Sequence, residues 1–310
     1  MLPERQLIAH IRRTLRSRNR QVILGIGDDC AILRVPAGDE VLITTDFSLE
    51  GVHFKREWQS AECVGHRCLV RGLSDIAAMG GRPIAAFLSL AVPSDLSQKW
   101  VDRFFAGLHS LARKHRVELA GGDTAQSLSG VLADIVLIGS VGKGKALLRS
   151  GATVGDQIYV TGELGESAAA IDLLTAGRIA KRDVFPNPRL AVGEWLQENR
   201  VASSAIDISD GLSTDLSHLC EESGVGAVME AEAIPIRPEA RSLENALELA
   251  LHGGEDYELL FTAPRSNRVP KSIAGVKVRR IGEIVGGKQI NLVRNGKRQV
   301  LLPRGWEHFR

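Results

Sequence analysis

Residues 60–92 read SAECVGHRCLVRGLSDIAAMGGRPIAAFLSLAV, and the period of the apolar residues changes two-thirds of the way along. Val64, Cys68, Leu69, Leu73, Ile76 and Ala77 recur at the three-and-four spacing of a helix with one buried face. Ser60 suits its N-cap, and Gly80-Gly81 followed by Pro83 stop it. From Ile84 the run IAAFLSLAV reads as a strand, short and apolar. A helix delivered straight into a strand, if repeated, indicates an α/β or α+β chain.

The pattern does repeat. Before this stretch, QVILGIG (21–27), CAILRV (30–35) and EVLITTDFS (40–48) read as strands. After it come a helix from about 97 to 114, a strand into AGGDT (120–124) and the strand GVLADIVLIGSVG (130–142). The second half runs from the strand DQIYVTG (156–162) through the helix ESAAAIDLLTAG (166–177), a helix after Pro188 and the strand SSAIDIS (203–209). Helix GLSTDLSHLCEES (211–223), strand GAVMEAE (226–232), a helix around EARSLENALELAL (239–251) and the strands YELLFTA, KVRRIGEIV and QINLVR complete it. The polar, glycine-containing RSGATVGD (149–156) reads as the seam between two domains, 1–148 and 149–310.

At 310 residues the chain is long enough for two such domains, and 44% hydrophobic with 25% charged residues is ordinary globular composition. No run approaches the eighteen or so apolar residues of a membrane span. A net charge of +2 gives the chain as a whole no pull toward nucleic acid or an anionic membrane surface. The basic stretch RQLIAHIRRTLRSRNR has Leu7, Ile8, Ile11 and Leu15 at helical spacing and reads as an amphipathic helix with a solvated face. Four cysteines, Cys30, Cys63, Cys68 and Cys220, form no C-x-x-C pair and suit a reduced, cytoplasmic setting as buried or half-buried thiols.

The acidic residues are unevenly placed. Asp28 and Asp29 in GIGDDCA, Asp46 in LITTDFS, Asp75 in GLSDIAAMGG, Asp123 in AGGDTA, and Asp207 and Asp210 in AIDISDGL all stand where an apolar element meets a glycine or a turn. Singly, each has a structural reading: Asp28 a turn, Asp210 a helix cap. Asp75 is harder to place that way, since it falls in the last turn of its helix, where the macrodipole disfavours a carboxylate by roughly 0.3–1 kcal/mol. Its neighbours Leu73, Ile76 and Ala77 supply no cation, so a bound metal would supply the missing charge. Carboxylates at the ends of several elements are what magnesium bridging to phosphates requires. The adjacent glycines would let backbone N–H groups approach a phosphate, yet no P-loop and no G-x-G-x-x-G is present. A G-x-S-x-G elbow and an H-E-x-x-H pair are likewise absent, and His53, a few residues beyond the acidic end of EVLITTDFS, is the histidine best placed to reach the same pocket.

In order, GIGDDCAIL (25–33), TTDFSLEGVHF (44–54), LSDIAAMGG (73–81), AGGDTA (120–125), LLRSGATVGDQIYVTGELGESAAA (147–170), AIDISDGLSTDL (205–216) and GGEDYELLFT (253–262) resemble the thiamine-monophosphate kinases, within the superfamily of aminoimidazole-ribotide synthetase and selenophosphate synthetase. GGEDYEL together with TTD…EGVHF points to the kinases within it. The resemblance implies an N-terminal domain that pairs with its counterpart in a second subunit to form a β-barrel at the dimer interface. It also implies a C-terminal α/β domain with a mixed sheet, and active sites in the clefts between. It implies transfer of phosphate from ATP directly to thiamine monophosphate, the last step of thiamine diphosphate formation, with no phosphoenzyme and no general base.

Matched motif by motif, the resemblance gives magnesium to Asp29, Thr44, Thr45, Asp46, Asp75, Asp123, Asp207 and Asp210. It gives ATP to Gly122, Asp123, Arg149 and Ser209, and the thiamine moiety to His53, Glu255 and Trp306, the last in PRGWEHF near the C-terminus. The chain departs from the family where Arg71-Gly72 replaces a common Val-Asn, and where His115-Arg116 replaces Tyr-Gly. A selenophosphate synthetase would carry a reactive Cys in an N-terminal glycine-rich segment, where this chain has the basic helix. The hydrogenase-maturation member depends on a C-terminal cysteine, where this chain ends WEHFR.

Overall fold

In a computed structural model of the chain, residues 2–14, 19–26 and 30–309 are described. They divide into two compact units: Met1–Ile76 with Arg82–Gly144 and Ala180–Phe185, and Ala77–Gly81 with Lys145–Ile179 and Pro186–Arg310.

The first unit is built from α1 (Glu4–Thr14), β1 (Val22–Leu24), β2 (Ile32–Leu33), β3 (Asp39–Leu49), α2 (Ala61–Ala78), β4 (Arg82–Pro93), α3 (Gln98–His115), β5 (Glu118–Ser127) and β6 (Leu132–Gly142). Four strands form an open sheet in the order β3-β6-β4-β5, with β4 and β5 parallel and the other pairs antiparallel. Along β3, burial alternates with the pleat. Leu42 and Ser48 are buried and Thr44 and Asp46 half-buried, while Val41, Ile43, Thr45 and Phe47 are exposed. The second set leaves a row of apolar side chains uncovered on an edge strand. In α2, Val64, Cys68, Leu69, Leu73, Ile76 and Ala77 are all buried, and Ser60 Oγ accepts from Cys63 N at 3.3 Å, as the spacing predicts. The amphipathic reading of α1 holds at Leu7 and Ile11, which are buried, whereas Ile8 is exposed and Leu15 lies outside the described residues.

The segment Ala180–Phe185 joins this unit although it lies between two helices of the other. Ser60 N donates to Asp183 Oδ1 at 2.7 Å, Arg182 N to Trp58 O at 2.6 Å, and Arg67 Nη1 to Val184 O at 3.1 Å. Its anchors are mixed: the Asp183 and Lys181 side chains, the latter donating to Glu57 O at 2.8 Å, act beside the backbone of Arg182 and Val184.

The second unit holds β7 (Gln157–Thr161), α4 (Glu166–Thr175), α5 (Leu190–Glu198), β8 (Ser204–Ile208), α6 (Leu212–Ser223), β9 (Gly226–Glu230), α7 (Pro238–Arg241), α8 (Ala246–His252), β10 (Glu258–Ala263), β11 (Ser272–Ile273), β12 (Val276–Val285), β13 (Ile290–Arg294) and β14 (Lys297–Val300). Its mixed sheet runs β14-β13-β9-β12-β7-β10-β8, with β13 and β9 parallel. Ile158, Val160, Ile206, Ile208, Leu260 and Leu216 belong to one buried cluster. The helix expected over 239–251 is two: Leu243 N and Ala246 N make turn bonds to Ala240 O and Leu243 O, and Asn245 caps the second piece with a non-helical backbone.

Cys63, Cys68 and Cys220 are buried, and burial pushes their thiols up to about 11, 12 and 12, whereas Cys30 is exposed rather than half-buried as expected. A disulfide-exchange reagent at neutral pH should therefore titrate one thiol in the native protein and four after denaturation. More than one fast native thiol would contradict this packing.

Candidate active site

Asp29, with Gly27 and Asp28, lies outside the described residues. The other predicted residues except Arg149 divide by unit, Thr44, Thr45, Asp46, His53, Asp75, Gly122 and Asp123 in the first and Asp207, Ser209, Asp210, Glu255 and Trp306 in the second.

In the first, β3 presents Thr44 and Asp46 on its half-buried side and Thr45 on its exposed side. Thr44 Oγ1 donates to Asp75 Oδ2, so the last turn of α2 and the middle of β3 are joined through one hydroxyl. Burial pushes the Asp46 carboxyl up to about 7, with the negative charge of Asp75 adding to it. Arg71 pulls it back down. This corrects the expectation that the helix end has no nearby cation: Arg71 stands one helical turn before Asp75, although its charge falls short of offsetting the crowding at Asp46. Asp134, a carboxylate inside the apolar strand β6, accepts from Thr45 Oγ1 at 2.8 Å. The sequence reading missed it, and its signal was a charge in the middle of LADIVLIG.

Gly122 precedes Asp123 on β5 with φ +145°, and a Cβ there would lie 1.9 Å from Leu88 O, so only glycine lets β5 approach β4 this closely. Asp123 is exposed and accepts from Thr124 N at 2.8 Å. Beside them opens a cavity of about 580 Å³, lined by Ile8, Ile11, Phe87, Phe105, Leu119 and the Gly121–Asp123 backbone among others. Its lining is mostly apolar with a few polar residues, Asp123 and Thr124 among them, the composition usual for a small-molecule site. His53, half-buried, accepts from Leu49 N at Nδ1 (3.0 Å), which puts the proton of the neutral ring on Nε2.

In the second unit, β8 carries Asp207, which is buried, and ends in the turn Ser209-Asp210-Gly211 that starts α6. Asp215 Oδ2 receives Gly211 N at 3.0 Å and Asp210 N at 3.2 Å. Burial, then Asp207 and Asp210, push its carboxyl well up, so the turn collects negative charge. Two glycine-led segments clamp this turn. Glu255 N donates to Ser209 O at 2.7 Å and Trp306 N to Asp210 O at 2.9 Å. A Cβ on Gly254 would meet Ser209 O at 2.5 Å, and one on Gly305 would meet Asp210 O at 2.1 Å. Ser209, Asp210, Glu255 and Trp306 thus meet around one turn. Arg149 does not: Leu148 O accepts from Ala205 N at the start of β8, about 13 Å along the strand from Ser209 at the usual rise per residue.

Among the described residues no three His, Cys, Asp or Glu side chains converge to hold a metal ion. The donors present are hard oxygens in pairs, and this fits magnesium, which uses one or two protein carboxylates and completes its shell with water and substrate phosphates. It does not fit zinc or another ion that needs a protein cage.

These features define a class. Residues 27–142 match the AIR synthase related protein N-terminal domain and residues 153–295 the corresponding C-terminal domain. The chain is 38% identical to the thiamine-monophosphate kinase of Escherichia coli strain K12, across 99% of this chain and 98% of that protein. It is similar to the crystal structure of thiamine-monophosphate kinase from Stenotrophomonas maltophilia K279a, at 35% identity and a TM-score of 0.82, over 94% of this chain and 95% of that one. A solved complex of AaThiL with AMPPCP and TMP superposes at a TM-score of 0.79 and 32% identity, covering 100% of this chain and 99% of that chain. The chain belongs to the thiamine-monophosphate kinase family.

Proposed function

We propose that the chain phosphorylates thiamine monophosphate with ATP, giving thiamine diphosphate and ADP and completing the formation of that diphosphate. The observation that carries this is its end-to-end similarity to AaThiL, which was solved with AMPPCP and TMP bound. The attacking phosphate oxygen is ionised at neutral pH, so the chain has to bring two anions together in line rather than abstract a proton.

Magnesium, when bound, neutralises phosphate charge and orients the reacting oxygens. Asp46, Asp75, Thr44, Thr45 and Asp123 in the first unit, and Asp207 and Asp210 in the second, are the ligands proposed to hold it, with Asp29 beside them in sequence order. The crowding of Asp46 against Asp75 supports the assignment, since such a pair gains from a cation. Gly122 offers its backbone and Asp123 its carboxylate to ATP, with Arg149 and Ser209 assigned to the phosphates. The apolar cavity that includes Phe87 and Phe105 suits the adenine ring. His53, Glu255 and Trp306 are assigned to the thiamine moiety. Trp306, 49% exposed, has a face available for stacking on an aromatic cation.

The uncovered apolar row Val41, Ile43 and Phe47 on β3 supports a homodimer in which two four-stranded sheets close a barrel. On this reading residues 1–148 bind ATP and magnesium and dimerise. No helix among the described residues is long and apolar enough to cross a membrane, in keeping with a cytoplasmic biosynthetic enzyme.

The test offers ATP and magnesium with thiamine monophosphate, free thiamine or an aminoimidazole ribotide precursor in turn. ADP release is expected with thiamine monophosphate alone. Release driven by one of the other two, or none from folded protein, would overturn the assignment.

A further inference from the structure

His252 closes α8 one residue before the Gly253-Gly254-Glu255 segment, and its ring is a junction of three chain segments. Its Nδ1 lies 2.7 Å from Ser213 Oγ in the first turn of α6, and its Nε2 lies 2.9 Å from an Arg304 Nη in the segment leading to Trp306. A guanidinium only donates, so Nε2 accepts; Nδ1 therefore carries the proton and donates to Ser213 Oγ. Ser213 is 1% exposed and its Oγ also accepts from Arg304 N at 3.4 Å. The His252 side chain is 11% exposed, and burial and then Arg304 lower its pKa against the opposing charge of Glu248, whose carboxylate lies 3.6 Å from Nε2, so the balance favours the neutral ring this tautomer needs. Glu248, one helical turn back, holds the other side of the Arg304 guanidinium at 2.8 Å.

The Trp306 ring has a local contact of its own, Nε1 donating to His308 Nε2 at 3.4 Å, which does not tie the segment 304–306 to the rest of the unit. The segment is mostly exposed, and three of its backbone N–H groups are laid on the start of α6 and the turn before it: Arg304 N on Ser213 Oγ, Gly305 N on Thr214 Oγ1 at 3.0 Å, and Trp306 N on Asp210 O at 2.9 Å. Two of those acceptors belong to α6 side chains, and one of these hydroxyls is itself oriented by His252. Removing the ring takes away the Arg304 contact and frees the Ser213 rotor together.

We propose that His252 is a positioning residue, a latch that ties the segment 304–306, and with it Trp306, to the first turn of α6. Its consequence for catalysis rests on the reading of Trp306 as a thiamine-binding side chain. The latch itself is independent of that reading. The contacts of the His252 ring are to Ser213, Arg304 and Glu248, none of them assigned to phosphate or metal, so its loss is felt in thiamine monophosphate binding and not in the use of ATP.

The test uses the full-length protein. The contribution of Trp306 to acrylamide quenching is obtained as the difference between each protein and the same protein carrying Trp306→Phe. In His252→Ala that contribution should rise at least twofold, with KM for thiamine monophosphate up at least fivefold, KM for ATP within twofold and kcat within threefold of the starting protein. Arg304→Ala removes the same contact from an exposed position and should act in the same direction, the double variant being no worse than the more impaired single. Unchanged quenching in folded His252→Ala and Arg304→Ala would overturn the latch. Increased quenching with an unaltered KM for thiamine monophosphate would support the latch and remove Trp306 from the substrate site.

Discussion

Asp46→Asn is expected to lose at least about a thousandfold in kcat/KM, equivalent to about 4 kcal/mol of transition-state stabilisation, while the protein keeps its fold. The first half of that expectation follows from what the position does. Asp46 sits on the half-buried side of β3, and Asp75, its neighbour in charge, is joined to the same strand by the Thr44 hydroxyl. A phosphoryl transfer between two anions depends on cations, which these side chains are proposed to hold, and an amide keeps the shape of the carboxylate but not its charge. The second half follows from electrostatics. Burial and Asp75 both work against a charge on Asp46, so the metal-free protein holds a repulsion there that the amide removes. The Tm of metal-free Asp46→Asn should equal or exceed that of the wild type, while the stabilisation the wild type gains from added magnesium should shrink. Wild-type turnover in this variant would refute the metal assignment, and a large fall in Tm without metal would refute the electrostatic one.

Gly122→Ala should damage both stability and ATP binding. The alanine would have to adopt φ +145° with its Cβ 1.9 Å from Leu88 O, so β5 must move away from β4 where Asp123 follows and where the cavity wall is formed. An expected cost of about 3 kcal/mol corresponds to a Tm lower by about 6 °C or more. KM for ATP should rise at least tenfold in the fraction that folds. Gly38→Ala is the control, because Gly38 also has a positive φ, +86°, but nothing lies within 4 Å of its Cβ position. Its replacement should cost about 1 kcal/mol and leave KM for ATP unchanged. Equal effects from the two substitutions would mean that backbone strain alone, and not closure of β5 on β4, matters at Gly122.

Much of this chain could be read before its structure. The three-and-four spacing in α2 marked its buried face residue by residue, because a helix packed on one side leaves a periodic trace. The position of Asp75 against the helix dipole flagged the acidic end of that helix, and Thr44 does meet it. What stayed hidden has physical reasons. Asp134 joins Thr45 through cross-strand neighbours in β3 and β6, a relation set by register and not by sequence distance. The cavity beside Gly122 is assembled from α1, α3, β4 and β5, so no contiguous stretch encodes it. The docking of Ala180–Phe185 on the first unit joins its Lys181 and Asp183 side chains to partners more than a hundred residues earlier, a pairing that no local spacing encodes. The clamp on the Asp210 turn was hidden too, since nothing in GGEDYEL or PRGWEHF says that Gly254 and Gly305 close on one and the same turn.

The central claim is direct transfer of a phosphoryl group from ATP to the phosphate of thiamine monophosphate. Phosphorus-31 NMR of the complete reaction tests it most directly, because a monophosphate and a diphosphate ester give separate resonances. The account predicts thiamine diphosphate and ADP accumulating in equal amounts, with no inorganic phosphate beyond that of a blank lacking enzyme. ADP appearing together with inorganic phosphate, while thiamine monophosphate persists, would contradict it.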